Sequence, residues 1–437
     1  MDNFDLNSHK HIHFIGIGGI SMSQLAIYCT QLNLKVTGSD ARVSKYTNLC
    51  ADNGIKVVIG HKRKNINGAD LVVCTGAISG ENAEMIEARK RGIKILDRAE
   101  FLAYICKKFK YVIGIAGTHG KTTTSAMIYH ILRECGKKVS CHIGADVENA
   151  RLNPDDDYLV LECCEYNKSF LKLYYNIGVV LNIDNDHLDC YQNMYNLQNA
   201  FKTFLKHADT RFVFQNDTTK CIRNRAIRIK QPVITAINKF EYCGRKFVLN
   251  NVYGEHNINN ATVAIGVCLN LGLLYTKIRK AIKSFKSAGR RCELLKTINN
   301  VDILADYAHH PAEINSLYNS LKTKYGRVCI VFQPHTFSRT KLLIYEFVKM
   351  FTTVDKLWIF KEYSAREHKS KGYSAKQLCE YLDNAVYVKN YRQLIKQFPF
   401  GKVENGDCIV FVGAGDIYDI GMKFAKEKIA DLYEKKK

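Results

Sequence analysis

The strongest chemical signal in the sequence is a glycine-rich turn that carries a lysine and reads AGTHGKTTT. Gly117 and Gly120 let the backbone bend so that successive N–H groups point inward, and the helix expected to follow adds the positive end of its dipole. Lys121 can then reach the terminal phosphates of a nucleotide, and Thr122 can bind Mg²⁺. We therefore predict a nucleotide-binding loop here.

This loop is shorter than the most common phosphate-binding motif. The strict G-x-x-x-x-G-K-[ST] spacing is not met because position 115 is isoleucine, whereas the form G-T-x-G-K-T is present. A plain turn with a surface lysine is the alternative interpretation. The strand, loop and helix that surround Lys121 in the expected order favour nucleotide binding.

Two further polar residues follow apolar strands of the same region. Glu162 ends the strand YLVLE, and His187 follows the strand IGVVLNI. The carboxyl ends of parallel strands meet at one edge of a sheet, where open α/β sheets bind ligands. Mg²⁺ prefers oxygen ligands, so Glu162 and Thr122 suit it and His187 is a less usual ligand. Alone, Glu162 would be a helix cap or an ion-pair partner and His187 a loop residue; their predicted place beside the phosphate loop favours a metal site.

A second glycine-rich turn lies near the N-terminus. Gly16, Gly18 and Gly19 follow the first apolar strand, and Ser21 completes the form G-x-G-x-x-S. With Asp40 about twenty residues further on, this turn resembles an NAD site. An NAD-dependent oxidoreductase is therefore the runner-up class, but it leaves the second nucleotide loop unexplained.

Three segments of the chain, 1–108, 109–292 and 293–437, each alternate apolar strands with amphipathic helices. This alternation indicates α/β architecture, with parallel sheets joined by crossover helices. An antiparallel patch is expected between about 209 and 253, where short β runs such as RFVFQND, PVITAI and KFVLNNV occur. The elements around the two glycine turns are predicted at 21–32 (helix), 111–116 (strand), 122–135 (helix), 158–162 (strand) and 177–183 (strand).

Composition bounds the class of protein. The chain has 437 residues, of which 46% are hydrophobic and 24% charged, so globular cores are expected. No run approaches the roughly 20 apolar residues of a membrane span, and the N-terminus lacks the pattern of a signal peptide. We expect a soluble, cytoplasmic protein. The sixteen cysteines contain no C-x-x-C, which disfavours a zinc knuckle or a disulfide framework, and most are expected in the core.

The formal net charge of +22 raises the question of nucleic-acid binding. No basic and aromatic recognition module is visible, so a nucleic-acid-associated NTPase stays an alternative and no nucleic-acid partner is expected. Anionic small-molecule substrates fit the same charge.

The spaced motifs together resemble the Mur ligase family in order and spacing, over nearly the whole chain. The N-terminal GIGGISMSQLA and GSD are most similar to the alanine-adding branch of that family. The motifs that carry the resemblance are GTHGKTTT, ECCEYNKSF, NIDNDHLD, GEHNINNATVAI, GRR, DYAHHP, QPHTFSRT and YSARE.

The resemblance implies a Rossmann-like domain for a UDP-sugar, a central phosphate-loop ATPase domain and a Rossmann-like C-terminal domain, in the three segments given above. It implies that ATP, with Mg²⁺, activates the carboxylate of UDP-N-acetylmuramate as an acyl phosphate that L-alanine attacks, in bacterial peptidoglycan precursor synthesis. A monomer or dimer without membrane insertion is expected. Within the family, a murein-tripeptide recycling ligase and folylpolyglutamate synthase are alternatives.

Site residues are carried over from the family motifs. Where members often have acidic or small residues, this chain has Cys164, Tyr166 and Asn167; Ala305 replaces an acid, and Ser21 stands where glycine is common. The resemblance implies that ATP contacts Gly117, Thr118, His119, Gly120, Lys121, Thr122, Thr123, His256, Asn257, Asn260, Arg290, Arg291 and Asp306. It implies a UDP-sugar site at Gly16, Gly18, Gly19, Ser21 and Asp40, metal ligands Thr122, Glu162 and His187, and catalytic residues Lys121, His309, His310, His335 and Arg339. Either His309 or His310 could accept the proton of the amine, and a structural turn is the alternative for both.

Overall fold

The computed structural model forms two compact units. The first comprises Met1–Pro232 and Asn260–Ile282, and the second Val233–Asn259 and Lys283–Lys437. The structure describes residues 5–185, 188–222, 225–250, 252, 254–287, 289–298, 300–365, 367, 372–397 and 406–427.

The first sheet lies in the first unit and consists of five parallel strands in the order β3-β2-β1-β4-β5. Its central strand β1 is buried at every position, as expected where helices cover both faces of a parallel sheet. The helix predicted at 21–32 begins one residue earlier. The elements are β1 (His11–Ile15), α1 (Ile20–Gln31), β2 (Lys35–Asp40), α2 (Lys45–Asp52), β3 (Lys56–Ile59), β4 (Leu71–Cys74), α3 (Ala83–Lys90), β5 (Lys94–Asp97) and α4 (Arg98–Cys106).

The second sheet, also in the first unit, has six parallel strands in the order β11-β10-β9-β6-β8-β7. The strand β6 that precedes the phosphate loop is central, and its end is level with the ends of β8 and β9. Two of its strands, β7 and β11, are absent from the predicted set. The elements are β6 (Tyr111–Ala116), α5 (Lys121–Glu134), β7 (Val139–His142), β8 (Tyr158–Glu162), β9 (Ile177–Val180), α6 (Leu188–Tyr191), α7 (Met194–His207), β10 (Thr210–Phe214) and β11 (Ile227–Ile229).

The antiparallel patch is smaller than predicted. The run RFVFQND does not belong to it, because β10 pairs in parallel with β9 and extends the second sheet after the crossover helix α7. The patch is a three-stranded antiparallel sheet in the second unit. Asn238 and Gly244 adopt positive φ angles of 61° and 69° and form its turns. Its strands are β12 (Val233–Ala236), β13 (Lys239–Tyr242) and β14 (Arg245–Val248).

The third large sheet lies in the second unit, in the order β15-β16-β20-β17-β18-β19. All pairs are parallel except that of the edge strand β15 with β16. The remaining elements are α8 (Glu255–Asn270), α9 (Tyr275–Ser284), β15 (Glu293–Ile298), β16 (Val301–Asp306), α10 (Pro311–Lys322), β17 (Val328–Phe332), α11 (Phe337–Leu342), α12 (Ile344–Phe351), β18 (Lys356–Phe360), α13 (Ala375–Glu380), β19 (Ala385–Val388), α14 (Tyr391–Gln397), β20 (Cys408–Val412) and α15 (Ile417–Lys426).

The predicted fold class, α/β with three sheet-based domains and an antiparallel patch, is confirmed. The domain boundaries at 108 and 292 stay a prediction. Only eight of the sixteen cysteines are buried, so the expectation that most lie in the core was wrong. Within the part of the chain that the structure describes, no helix is both long and apolar enough to cross a bilayer.

Candidate active site

The phosphate loop is tied to the segment that follows β9. The backbone N–H of Thr118 donates to the carbonyl of Asn182 at 3.2 Å. The side-chain oxygen of Asn182 accepts from the N–H of His119 at 2.8 Å, and its amide nitrogen donates to the carbonyl of His119 at 3.0 Å. Asn182 is absent from the predicted site residues. Its side chain binds backbone groups of the loop. A motif defined by side-chain types does not reveal such a contact.

Gly120 and Asn260 lie in contact at the start of α5. Gly120 has a φ angle of 82°, and a Cβ built on it would lie 2.4 Å from Oδ1 of Asn260. The hydroxyl of Thr124 donates to the same oxygen at 3.3 Å. The predicted ATP residue Asn260 therefore lies beside the phosphate loop, within the first unit, and position 120 has no space for a side chain. Thr123, another predicted ATP residue, is buried in the first turn of α5.

The ammonium of Lys121 is held by its own loop and by a buried acid. Nζ donates to the carbonyls of Gly117 and Thr118 at 2.6 and 3.0 Å. It lies 2.9 Å from Oε2 of Glu165, whose side chain is 1% exposed. Burial alone lowers the pKa of Lys121, but the Glu165 carboxylate raises it above its ordinary value. Glu165 is missing from the predicted site residues, although it stands in the motif that supplied Glu162.

Two predicted metal ligands, Thr122 and Glu162, lie together. The Thr122 hydroxyl donates to Oε1 of Glu162 at 2.8 Å, and Oε2 accepts from the backbone N–H of Gly144 at 2.8 Å. His187, the third predicted ligand, is outside the described residues. No cluster of three or more His, Cys, Asp or Glu side chains suited to a metal occurs among the described residues. The oxygen donors fit Mg²⁺, which typically binds one or two carboxylates and completes its shell with water and substrate phosphates.

The N-terminal glycine turn is shaped by Asp40. Oδ2 of Asp40 accepts from the backbone N–H of Gly18 at 2.8 Å. Gly16 has a φ angle of 82°, and Gly19 precedes the first residue of α1. The predicted UDP-sugar residues are thus brought together, but one carboxylate oxygen of Asp40 holds the turn itself.

Ser21, in the first turn of α1, contacts the second sheet. Its hydroxyl oxygen lies 2.8 Å from Nε2 of His142, the last residue of β7, and accepts from Nη1 of Arg98 at 3.3 Å. Burial, with a smaller contribution from Arg98, lowers the pKa of His142 to about 3. His142 is therefore neutral near pH 7 and shares a hydrogen bond with the Ser21 hydroxyl.

In the second unit, three of the predicted catalytic residues cluster. Nη1 of Arg339 lies 3.3 Å from Nδ1 of His335, and the rings of His335 and His309 are 5.9 Å apart between centroids. Burial, His309 and Arg339 lower the pKa of His335 to about 4. Burial also lowers the pKa of His309. Both imidazoles are therefore neutral near pH 7 and can accept a proton.

His310 and Asp306 make structural contacts in the second unit. Nδ1 of His310 accepts from the N–H of Ala312 at 3.3 Å and caps α10, in which Pro311 is the first residue. Asp306 accepts backbone N–H groups of Ala308 and Cys292, each at 2.7 Å. His310 thus has one ring nitrogen engaged in capping α10.

The remaining predicted ATP residues of the second unit pack on side chains. The guanidinium of Arg290 lies 4.4 Å from the ring centroid of Tyr418, and that of Arg291 lies 5.2 Å from Tyr307. Their aromatic contacts restrain both cations. At the start of α8, Nδ1 of His256 lies 2.9 Å from the Ser316 hydroxyl, and its Nε2 lies 3.0 Å from the side-chain amide of Asn257.

Three family models together match segments of the chain that reach all four sheets. The chain matches the "Mur ligase family, catalytic domain" over residues 11–110, the "Mur ligase middle domain" over 115–268 and the "Mur ligase, glutamate ligase domain" over 290–415. A relative from Clostridium botulinum (strain Langeland) is 38% identical over 96% of this chain and 98% of that protein. The chain belongs to the Mur ligase family.

Several relatives of this Mur ligase carry the same name. The Clostridium protein and one from Acetivibrio thermocellus, 37% identical over 97% of both chains, are UDP-N-acetylmuramate–L-alanine ligases. The crystal structure of UDP-N-acetylmuramate-alanine ligase MurC from Thermotoga maritima has a TM-score of 0.82 and 25% identity, over 98% of this chain and 100% of that chain. A murein peptide ligase from Psychrobacter arcticus, 22% identical with a TM-score of 0.68 over 95% and 98% of the two chains, shares the fold.

Family membership confirms two predictions about this Mur ligase. It is an ATP-dependent ligase, so the family resemblance drawn from the spaced motifs is correct. The match to the middle domain spans the phosphate loop, as expected if this segment binds ATP. The glycine turn that suggested an NAD-dependent oxidoreductase lies inside the N-terminal match of the same family.

Proposed function

We propose that this Mur ligase joins the amino group of L-alanine to the carboxylate of UDP-N-acetylmuramate and converts ATP to ADP and phosphate, in peptidoglycan precursor synthesis. The observation that carries the proposal is the charged group Lys121, held beside Glu165 in a phosphate loop, with Thr122 and Glu162 in contact at the neighbouring strand end. The choice of substrates is supported by the names of two relatives, which match this chain over nearly their whole length.

The first step places one anion against another, because a carboxylate must attack the γ-phosphate of ATP. Lys121 offsets that repulsion, and the N–H groups at the start of α5 face the phosphates. Mg²⁺, for which Thr122, Glu162 and Glu165 are the available oxygen donors, would supply further positive charge there. The product of this step is an acyl phosphate, which is a much better acyl donor than the carboxylate.

The second step needs a neutral amine and a group that accepts its proton. We propose His309 or His335 for this role, because both imidazoles are neutral near pH 7 and lie within one cluster. His310 is a weaker candidate, since Nδ1 caps α10. Arg339 beside His335 supplies positive charge for the carboxylate of the amino acid.

The other predicted residues retain the roles that the family motifs imply. We propose that the glycine turn at Gly16, Gly18 and Gly19 faces the diphosphate of the UDP-sugar. For ATP we propose the phosphate loop together with Asn260, and in the second unit His256, Asn257, Arg290, Arg291 and Asp306. Three domains at 1–108, 109–292 and 293–437 remain part of the proposal.

Phosphate release from ATP tests the proposed reaction. It should require both UDP-N-acetylmuramate and an amino acid, with L-alanine giving the highest kcat/KM. Strong activity with the tripeptide in place of L-alanine would instead identify a recycling ligase, and activity with a folate and glutamate a folylpolyglutamate synthase. Release that is independent of the UDP-sugar would contradict the proposal.

A further inference from the structure

The contact between Ser21 and His142 joins two parts of the first unit that carry different proposed sites. Ser21 lies in the turn of α1 that directly follows the N-terminal glycine turn, and His142 ends β7 of the second sheet. The two side chains meet at 2.8 Å. His142 is 5% exposed, so water competes little for this hydrogen bond.

From His142 a short path leads to the phosphate loop. Gly144, two residues after His142, donates its N–H to Oε2 of Glu162 at 2.8 Å. The other oxygen of Glu162 accepts from Thr122 at 2.8 Å. A displacement of His142 therefore moves the backbone group that orients Glu162, and with it a partner of the proposed metal ligand Thr122.

A second contact ties the same segment to the first sheet. Asp146 accepts from the hydroxyl of Tyr46 at 3.1 Å and pairs with Lys45, and both of these residues belong to the first turn of α2. The segment 142–146 is thus held by two helices of the first sheet while its backbone holds Glu162. These contacts connect the helices that flank the glycine turn with the carboxylate of Glu162.

We propose that Ser21 and His142 are positioning residues that couple the N-terminal glycine turn to Glu162 and Thr122, so that binding of the sugar nucleotide strengthens binding of Mg·ATP. The inference rests on the proposed function, since it takes the glycine turn as the sugar-nucleotide site. By linkage, Mg·ATP strengthens binding of the sugar nucleotide by the same factor.

The test measures the affinity of Mg·AMP-PNP by calorimetry, with and without saturating UDP-N-acetylmuramate. For the wild-type protein we expect the sugar nucleotide to tighten binding by at least about fivefold, the lower end of typical coupling between sites. In Ser21→Ala and in His142→Val the factor should fall to within about twofold of one. The double variant should lose no more than either single variant, because both remove one link.

The matched control is Ser140→Ala, two residues earlier in β7, whose hydroxyl binds Asp156 at 2.8 Å instead of the first sheet. It should keep the wild-type coupling factor. Coupling is the decisive readout, because a merely structural role would lower both single-ligand affinities or the melting temperature and leave the factor intact. If His142→Val does not fold, the coupling factor of Ser21→Ala alone decides whether the link couples the two sites.

The outcomes separate the inference from the proposed function. A wild-type protein that binds both ligands without coupling, or variants that keep the wild-type factor, would overturn the inference alone. A wild-type protein that binds no UDP-N-acetylmuramate would overturn the proposed function and the inference with it.

Discussion

The Nζ atom of Lys121 lies 2.9 Å from Oε2 of Glu165, a carboxylate with 1% exposed side-chain surface. A buried ion pair of this kind costs desolvation, and removal of one partner leaves the other charge uncompensated. The pair therefore keeps the lysine charged inside the loop before a nucleotide binds. Triphosphate must compete with Glu165 and with two loop carbonyls for the same ammonium.

Replacement of Lys121 by alanine should lower kcat by at least about 10²–10³-fold, the scale for loss of one preorganised group that stabilises transition-state charge. The measurement is phosphate release at saturating substrates. Lys137→Ala is the control, because Lys137 is exposed beyond the end of α5 and should retain activity. Near-normal turnover of Lys121→Ala would remove this lysine from the mechanism.

Substitution of Gly120 by alanine should weaken binding of Mg·ATP by at least about tenfold, or 1.4 kcal/mol. Its Cβ would lie 2.4 Å from Oδ1 of Asn260, so the phosphate loop must shift. Gly136→Ala is the matched control, since Gly136 has a φ angle of 79° and nothing within 4 Å of a new Cβ. Both variants bear the cost of a left-handed non-glycine residue, about 1–2 kcal/mol of unfolding free energy.

Calorimetry measures the affinity for the nucleotide and urea unfolding measures the stability, so together they separate the contact with Asn260 from the cost of the left-handed backbone. Gly136→Ala should lose stability and keep its affinity for the nucleotide. Equal loss of affinity in both variants would show that the contact with Asn260 is unimportant.

Glu84 should make folding stability depend on acid pH. It is fully buried, and its carboxylate interacts with Ser39, His61, Asn65 and His13. Burial alone raises the pKa of Glu84, but these hydrogen bonds together lower it to about 2. Because the pKa is lower in the folded state than in the unfolded state, the unfolded chain binds more protons at acid pH. The stabilisation is present above about pH 4.5 and is lost as the pH falls towards 2.

The lowered pKa of Glu84 corresponds to about 3 kcal/mol in the free energy of unfolding. The measurement is the difference in unfolding free energy between the wild-type protein and Glu84→Gln at several pH values. The difference should favour the wild type at pH 6 and diminish towards pH 3. A difference that stays constant over this range would contradict the assignment.

Removal of Arg339 should raise the pKa of His335. Burial, His309 and then Arg339 lower that pKa to about 4, so loss of the guanidinium removes one of the three causes. In Arg339→Ala the value should rise and stay below the ordinary 6.5, because burial remains. NMR titration of labelled histidines measures it, with His335→Gln to assign the signal. Lys341→Ala is the control and should leave the titration unchanged; an unchanged midpoint in Arg339→Ala would contradict the prediction.

Local pattern by itself determined much of this protein. The glycine turn before Lys121, the strands on either side and the α/β alternation depend on residues close together in the chain, so their spacing carried the prediction. Helix α5 begins one residue from the predicted start for the same reason. The resemblance to the Mur ligases was visible for the same reason, because the motifs consist of residue types at fixed spacing.

Tertiary structure decided which side chains meet. Glu165 next to Lys121, Asn182 beneath the phosphate loop and His142 against Ser21 are contacts between residues 44, 63 and 121 positions apart. The parallel pairing of β10 with β9 was likewise hidden, because a short apolar run fits either direction. Such contacts arise from the crossover connections and from the packing of helices on sheets, which place distant segments of the chain side by side. No local spacing of residues in the sequence reveals which segments will meet.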